Sequence, residues 1–185
     1  MEPEYRPPWG DRLRVRTRRA ILARLRSLLE PEGTRLLDLG GGTGVTTVTF
    51  GAGAREVVVL EPNERKIASG RAARAPVTFV PGVAEAIPYP DGRFDRVVSL
   101  LSFHHFARGD DVLREASRVL TPGGRLVVYD LDPSSLSARW LGLFLGHHRD
   151  RFVTSSDLVR RALAAGFRVA RAEAFRSGTF VVADR

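Results

Sequence analysis

Apolar residues first recur at helical spacing. Ile21, Leu22, Leu25, Leu28 and Leu29 share one face, with Arg19, Arg24 and Arg26 off it, and predict a helix over 11–29. Pro31 and Gly33 end it. The period then shortens. "TRLLDL" (34–39), "REVVVLE" (55–61), "PVTFV" (76–80), "FDRVVSLLSF" (94–103) and "RLVVYDL" (125–131) predict five strands. The unbroken apolar run of the second is expected where both faces of a sheet are covered. Between strands, 63–73 reads as a helix capped by Asn63. Residues 110–120 read as another, with Val112, Leu113, Ala116, Val119 and Leu120 on one stripe, stopped by "TPGG".

After Asp130 the rhythm breaks. Residues 131–153 form an insert with a short apolar helix near 136–145. It has two readings, part of a substrate lid or a helix that closes the core. "TSSD" at 154–157 starts a further helix, ended by Gly166. "FRVARAEAF" and "TFVVAD" then make a hairpin around Arg176–Gly178. The pattern predicts an α/β fold: a doubly wound, mostly parallel seven-stranded sheet, its last strand antiparallel, with helices on both faces. Residues 1–185 read as one domain, with 1–30 as an N-terminal tail and helix. Ligands in such sheets bind at the carboxyl ends of the strands, near the switch point.

Composition removes several chemistries. The chain of 185 residues has no cysteine, which excludes disulfides, thiolate metal sites and cysteine nucleophiles. Its four histidines lack ligand spacing, so no metal is expected. The net charge is +8, and Lys66 is the only lysine among 29 basic residues. Two readings of that charge stand: nucleic-acid binding, or the arginine bias of a GC-rich genome or hot habitat. No apolar run approaches the roughly 20 residues of a membrane span. The start lacks the apolar centre of a signal peptide, which predicts a cytoplasmic protein.

The first strand runs into "LLDLGGGTG" at 36–44. A nucleoside-triphosphate loop needs a lysine after its glycines, and none follows. The dinucleotide pattern G-x-G-x-x-G fails from each starting glycine, at Val45, Thr43 or Thr47. What stands is Asp38-x-Gly40-x-Gly42-x-Gly44. The carboxylate would repel a phosphate and attract a cation. A nucleoside without phosphate and with positive charge near the turn is favoured, and S-adenosyl-L-methionine fits. Glu61, 23 residues after Asp38 at the end of the second strand, can accept both hydroxyls of a ribose.

At these residues the chain resembles the class I S-adenosylmethionine-dependent methyltransferases. "LLDLGGGTG" looks like their first motif, and "VVVLEPN" like the second strand ending in its acid. "VAEAIPYPDGRFDRVVSLLSFHHF" is similar to their adenine-binding segment and fourth strand, and "REASRVLTPGGRLVVYDL" to the helix and strand that follow. The nearest group is the small-molecule branch that includes the ubiquinone and menaquinone biosynthesis methyltransferases. The resemblance implies a Rossmann-like fold and a methyl-transfer activity.

It also implies residue roles. Gly40, Gly41, Gly42 and Gly44 would let the backbone meet the methionine part of the cofactor, with Asp38 on its ammonium side and Leu100 nearby. Pro62 would pack on adenine, and Ala84 and Glu85 match the adenine segment. The family often has Asp one position before Ala84, where this chain has Val83. His104 and His105 would face the transferred methyl as bases or substrate hydrogen-bonders. The bland alternative for both is a structural pair. Tyr129 and Asp130 end the fifth strand on the substrate side, and His147 and His148 read as surface residues.

The expected reaction is in-line displacement, in which positioning of an already activated methyl supplies much of the rate. Lack of cysteine, of a second lysine and of an [N/D]-P-P-[Y/F] segment argues against several nucleic-acid methylations. A small organic acceptor is the favoured partner. The alternatives are an RNA- or protein-directed methyltransferase anchored by arginines in 11–26, and a non-catalytic cofactor-binding protein on the same fold.

Overall fold

A computed structural model describes residues 9–132 and 153–185, with only the main chain described at 9–14 and 17. Its elements run α1 (Trp9–Leu29), β1 (Arg35–Leu39), α2 (Val45–Phe50), β2 (Glu56–Glu61), α3 (Glu64–Ala72) and β3 (Thr78–Pro81). They continue with β4 (Phe94–Leu100), a 3-10 turn (Phe103–His105), α4 (Gly109–Val119), β5 (Leu120–Leu131), α5 (Ser155–Ala164), β6 (Val169–Phe175) and β7 (Gly178–Asp184).

The seven strands form one sheet in the order β3-β2-β1-β4-β5-β7-β6. Pairs from β3 through β5 are parallel, and β7 lies antiparallel to both β5 and β6. The order reverses between β1 and β4, which the chain reaches only after building β2 and β3. Three register pairs join β1 to β4, against five between β1 and β2. Arg35 braces that joint: its guanidinium and its N–H all donate to Asp95, at 2.9–3.0 Å.

Strand alternation sends neighbouring residues to opposite layers. Leu36 packs with Ile21, Leu25 and Leu29 of α1 and Phe50 of α2. Leu37 and Leu39 pack with Val112 and Ala116 of α4 and Leu158 of α5. Both faces are therefore covered, as the apolar runs require.

Helix ends follow their caps. Asn63 accepts from the N–H groups of Arg65 and Lys66, and Thr154 from that of Asp157. Three expectations change. The fourth strand stops at Leu100, because Leu101 adopts a left-handed φ of 52° and turns the chain into the 3-10 segment. The fifth strand starts at Leu120, whose backbone already pairs with Phe94. A six-residue helix, α2, follows the glycine turn; its mixed Val–Thr pattern has no helical stripe to read. The expected helix near 136–145, with His147 and His148, lies outside the described residues.

Candidate active site

At the reversal point β1 delivers Asp38 and then the glycine turn. Gly40 and Gly42 hold φ of 74° and 62°, which side chains rarely adopt. Gly41 is needed for space instead: a Cβ there would lie 2.4 Å from Asp38 Oδ2. The turn is fixed from both neighbouring strands. The Gly40 N–H donates to the Leu60 carbonyl at 2.8 Å. Ser102 Oγ donates to the Leu39 carbonyl at 2.8 Å and lies 2.9 Å from Ser99 Oγ. Gly44 serves packing: it caps α2, and a Cβ there would meet the ring of Phe79.

Asp38 is buried beneath this turn. Its Oδ2 accepts from Thr47 Oγ1 at 2.5 Å, while Oδ1 has no hydrogen-bond partner. Burial raises the carboxyl pKa to about 7, opposed by the Thr47 hydrogen bond and helped by the charge of Glu61. A buried acceptor without a donor is costly, so this oxygen suits a cationic N–H donor entering from the turn.

Glu61 is also buried. Its Oε1 accepts from the Asn63 N–H and its Oε2 from the Gly42 N–H, both at 3.0 Å, and Lys66 Nζ lies 3.7 Å from Oε1. It thus clamps the glycine turn to the start of α3. Each oxygen keeps a second lone pair for a hydroxyl donor.

Two adjoining cavities open here. The first, about 500 Å³, is lined by Asp38, Gly40, Gly41, Gly42 and Leu100, together with Arg18 of α1. The second, about 470 Å³, has Glu61, Pro62, Ala84, Glu85 and His105 on its walls, with Val83 and Phe106. Gly40 and Lys66 belong to both. Of the residues singled out in the sequence, Gly44, His104, Tyr129 and Asp130 line neither of these two cavities. Glu85 does double duty, since its Oε1 accepts from the N–H groups of Ala107 (2.9 Å) and Arg108 (3.3 Å).

The histidine pair divides. His104 Nδ1 lies 2.9 Å from both oxygens of Asp130, and its own N–H donates to Oδ2 at 3.0 Å. The two side chains are 11% and 12% exposed. This pairing fixes the orientation of the ring. His105 is exposed, its ring 3.9 Å from that of His104. Tyr129 does not reach a substrate side. It is buried, and its hydroxyl donates to the Phe175 carbonyl at 3.1 Å.

Sequence reading missed Thr47, Ser102 and Arg18. Thr47 was findable from its place in the first turns after a glycine loop. The other two act across 63 residues or from a helix outside the motif.

A family model for a methyltransferase domain matches residues 37–128. A ubiquinone/menaquinone biosynthesis C-methyltransferase of Azotobacter vinelandii is 35% identical over 112 residues, covering 56% of this chain and 44% of that protein. The chain thus spans about half the length of the curated relatives it matches. Among solved structures, a methyltransferase of Bacillus halodurans superposes with a TM-score of 0.74 at 26% identity, over 84% of this chain and 72% of that one. An S-adenosylmethionine-dependent methyltransferase of Mesorhizobium loti shares the fold, with a TM-score of 0.71 at 22% identity, over 88% and 96%. With its sheet order, its glycine turn and this match, the chain belongs to the methyltransferase-domain family of S-adenosylmethionine-dependent enzymes.

Proposed function

We propose that the chain transfers the methyl of S-adenosylmethionine to a small organic acceptor by in-line displacement. The observation that carries this reading is the partnerless Oδ1 of Asp38, buried at the wall of the first cavity. It fits the ammonium of the cofactor's amino-acid end. The open lone pairs of Glu61 fit the ribose hydroxyls, and Pro62, Ala84 and Phe106 give the second cavity flat apolar walls for adenine. Val83 stands exposed where a carboxylate would read the adenine amino group. Backbone groups are then left to do so.

When bound, the cofactor supplies an activated sulfonium methyl. The chain's own residues bind, orient and manage the proton. Asp130 holds the His104 ring, which packs 3.9 Å from that of His105. His105, on the wall of the second cavity, is the candidate to hydrogen-bond the acceptor and to take its proton where the nucleophile must lose one.

Two observations support a small acceptor over RNA. The relatives above are named for ubiquinone and menaquinone biosynthesis. Two arginines of α1 are engaged within the chain: Arg24 pairs with Glu173 of β6, and Arg26 with Glu32. Among the described residues no helix is long and apolar enough to cross a membrane, in keeping with a cytoplasmic site of action.

The test is calorimetry with S-adenosylhomocysteine, then transfer of labelled methyl to a panel of quinols, amines and bulk RNA. Binding followed by label on a small acceptor is expected. Tight binding with no acceptor in any class would favour a non-catalytic cofactor-binding protein. No binding would end the reading.

A further inference from the structure

We infer that β6, at one edge of the sheet, pairs with β6 of a second copy of this chain, antiparallel and centred on Ala172, so that two seven-stranded sheets run on as one across a two-fold axis. The inference is independent of the methyltransferase reading above.

The sheet has two edges, β3 and β6. They differ in how open they are. β3 has four residues and ends in Pro81, and its Phe79 carbonyl already accepts from the Arg71 guanidinium at 3.2 Å. Short length and proline are common devices against further pairing. β6 has seven residues and no proline. β7 takes up one side of it, and among the described residues no strand lies on the other. Val169, Arg171, Ala172 and Ala174 on it are exposed. Val169, at 52%, is one of three exposed large apolar side chains among the described residues.

The order of residues on the strand names its occupant. "VARAEAF" (169–175) is a chemical palindrome about Ala172. An antiparallel copy centred there sets Arg171 opposite Glu173, Ala170 opposite Ala174 and Val169 opposite Phe175, each pair twice. Directly opposed residues share one face of a sheet, where opposite charges attract and like charges repel. Moving the centre by one residue sets Arg171 on Arg171, or Glu173 on Glu173. A parallel copy in register does both. Charges on an edge strand ordinarily deter pairing. Here one of each sign stands at equal distance from the centre, the self-complementarity that a two-fold contact requires. The strand therefore favours its own copy over an unrelated one.

Neighbouring charges support the same register. Arg24 of α1 donates from Nε to Glu173 Oε1 at 2.7 Å, and from Nη2 to Oε2. Arg171 Nη1 stands 3.7 Å from Asp184 Oδ2. Across the joint the row would read Asp184 and Arg171, then Glu173 and Arg24 of the second copy. Each inner charge stands between two of opposite sign. The open main-chain groups of β6 gain partners in the same step.

The experiment is sedimentation velocity on the full chain, from about 1 to about 100 μM. Wild type is expected to pass from monomer to dimer as concentration rises. Arg171→Glu opposes acid to acid, and Glu173→Arg opposes arginine to arginine. Each alone is expected to weaken the dimer roughly 10-fold or more. An equimolar mixture of the two restores opposite signs in both pairs, and should give a mixed dimer tighter than either variant forms by itself. A wild-type chain that stays monomeric throughout, single variants that dimerise as wild type does, or a mixture no tighter than its parts would overturn the assignment. Circular dichroism and the thermal midpoint check that each variant folds. Should Glu173→Arg fail to fold without its Arg24 contact, Val169→Asp takes its place. That side chain is exposed in the single chain and faces Phe175 in the pair, so a weaker dimer is expected and an unchanged one overturns the register.

Discussion

The main-chain N–H of Gly42 donates to Oε2 of Glu61 at 3.0 Å, tying the turn after β1 to the acid that ends β2. One carboxylate therefore shapes the glycine turn at the first cavity while lining the second. Replacing Glu61 by Ala should weaken S-adenosylhomocysteine by about 1–3 kcal/mol and lower the thermal midpoint of the ligand-free chain. Glu61→Gln should also lose affinity, because its NH2 group would face a backbone donor. An unchanged dissociation constant in Glu61→Ala would remove this residue from the site.

The two middle glycines should respond differently to one added methyl. At Gly41 a Cβ would lie 2.4 Å from Asp38 Oδ2 and 3.0 Å from Val59 Cγ1, and the Asp38 side chain is buried and held by Thr47. At Gly42 the nearest atom is Lys66 Cδ at 3.8 Å, and the penalty is the left-handed φ alone, about 1–2 kcal/mol. Gly41→Ala is thus expected to abolish cofactor binding, and Gly42→Ala to leave a weakened but measurable affinity. The reverse order by calorimetry would mean that the turn is shaped otherwise.

Burial lifts the Asp38 pKa from an ordinary 3.8 to about 7. A raised carboxyl is protonated more readily in the folded state than in the unfolded one. Ligand-free stability should therefore fall as pH rises from about 4 to about 7, by up to about 1.4 kcal/mol per unit from this group, and level off above. An ammonium needs the ionised form, so affinity for S-adenosylhomocysteine should rise over the same range. Binding near pH 6 should release a proton, seen as a dependence of the heat on buffer ionisation enthalpy. Asp38→Asn should remove that dependence, and its persistence would assign the proton elsewhere.

Asp130→Asn keeps the shape beside His104 but removes the charge that fixes the ring. If the fixed His104 ring positions His105 toward the acceptor, kcat should drop by roughly 10- to 100-fold with KM and cofactor affinity nearly unchanged. A lower thermal midpoint with normal kcat would make the pair structural.

Much of this was legible in the sequence because the signals are local. The helix caps at Asn63 and Thr154, the apolar face of α1 and the glycine turn each sit within a few residues of their cause. Asp38 and Glu61 could be placed because each lies at or next to the carboxyl end of its strand. Other features depend on which strands become neighbours. The Asp130–His104 pair spans 26 residues and the Ser102–Leu39 contact 63. Both arise only because β4 lies between β1 and β5. Tyr129 misled for the same reason: its strand position points outward or inward according to register, and register with β7 buries it against Phe180. Glu85 matched a motif, yet the backbone of Ala107 and Arg108 already uses one of its oxygens.

The short pairing between β1 and β4 makes a seam through the middle of the sheet, and the site straddles it. Asp38 and Gly40 lie on one side, Leu100 and Ser102 on the other. Local opening of a fold begins where the fewest bonds must break. A ligand bridging the two sides would hold the seam shut. Amide hydrogen exchange at Leu37, Asp38, Val97 and Val98 should then slow with S-adenosylhomocysteine more than at the hairpin of β6 and β7, so that filling the site also stitches the two halves of the protein together.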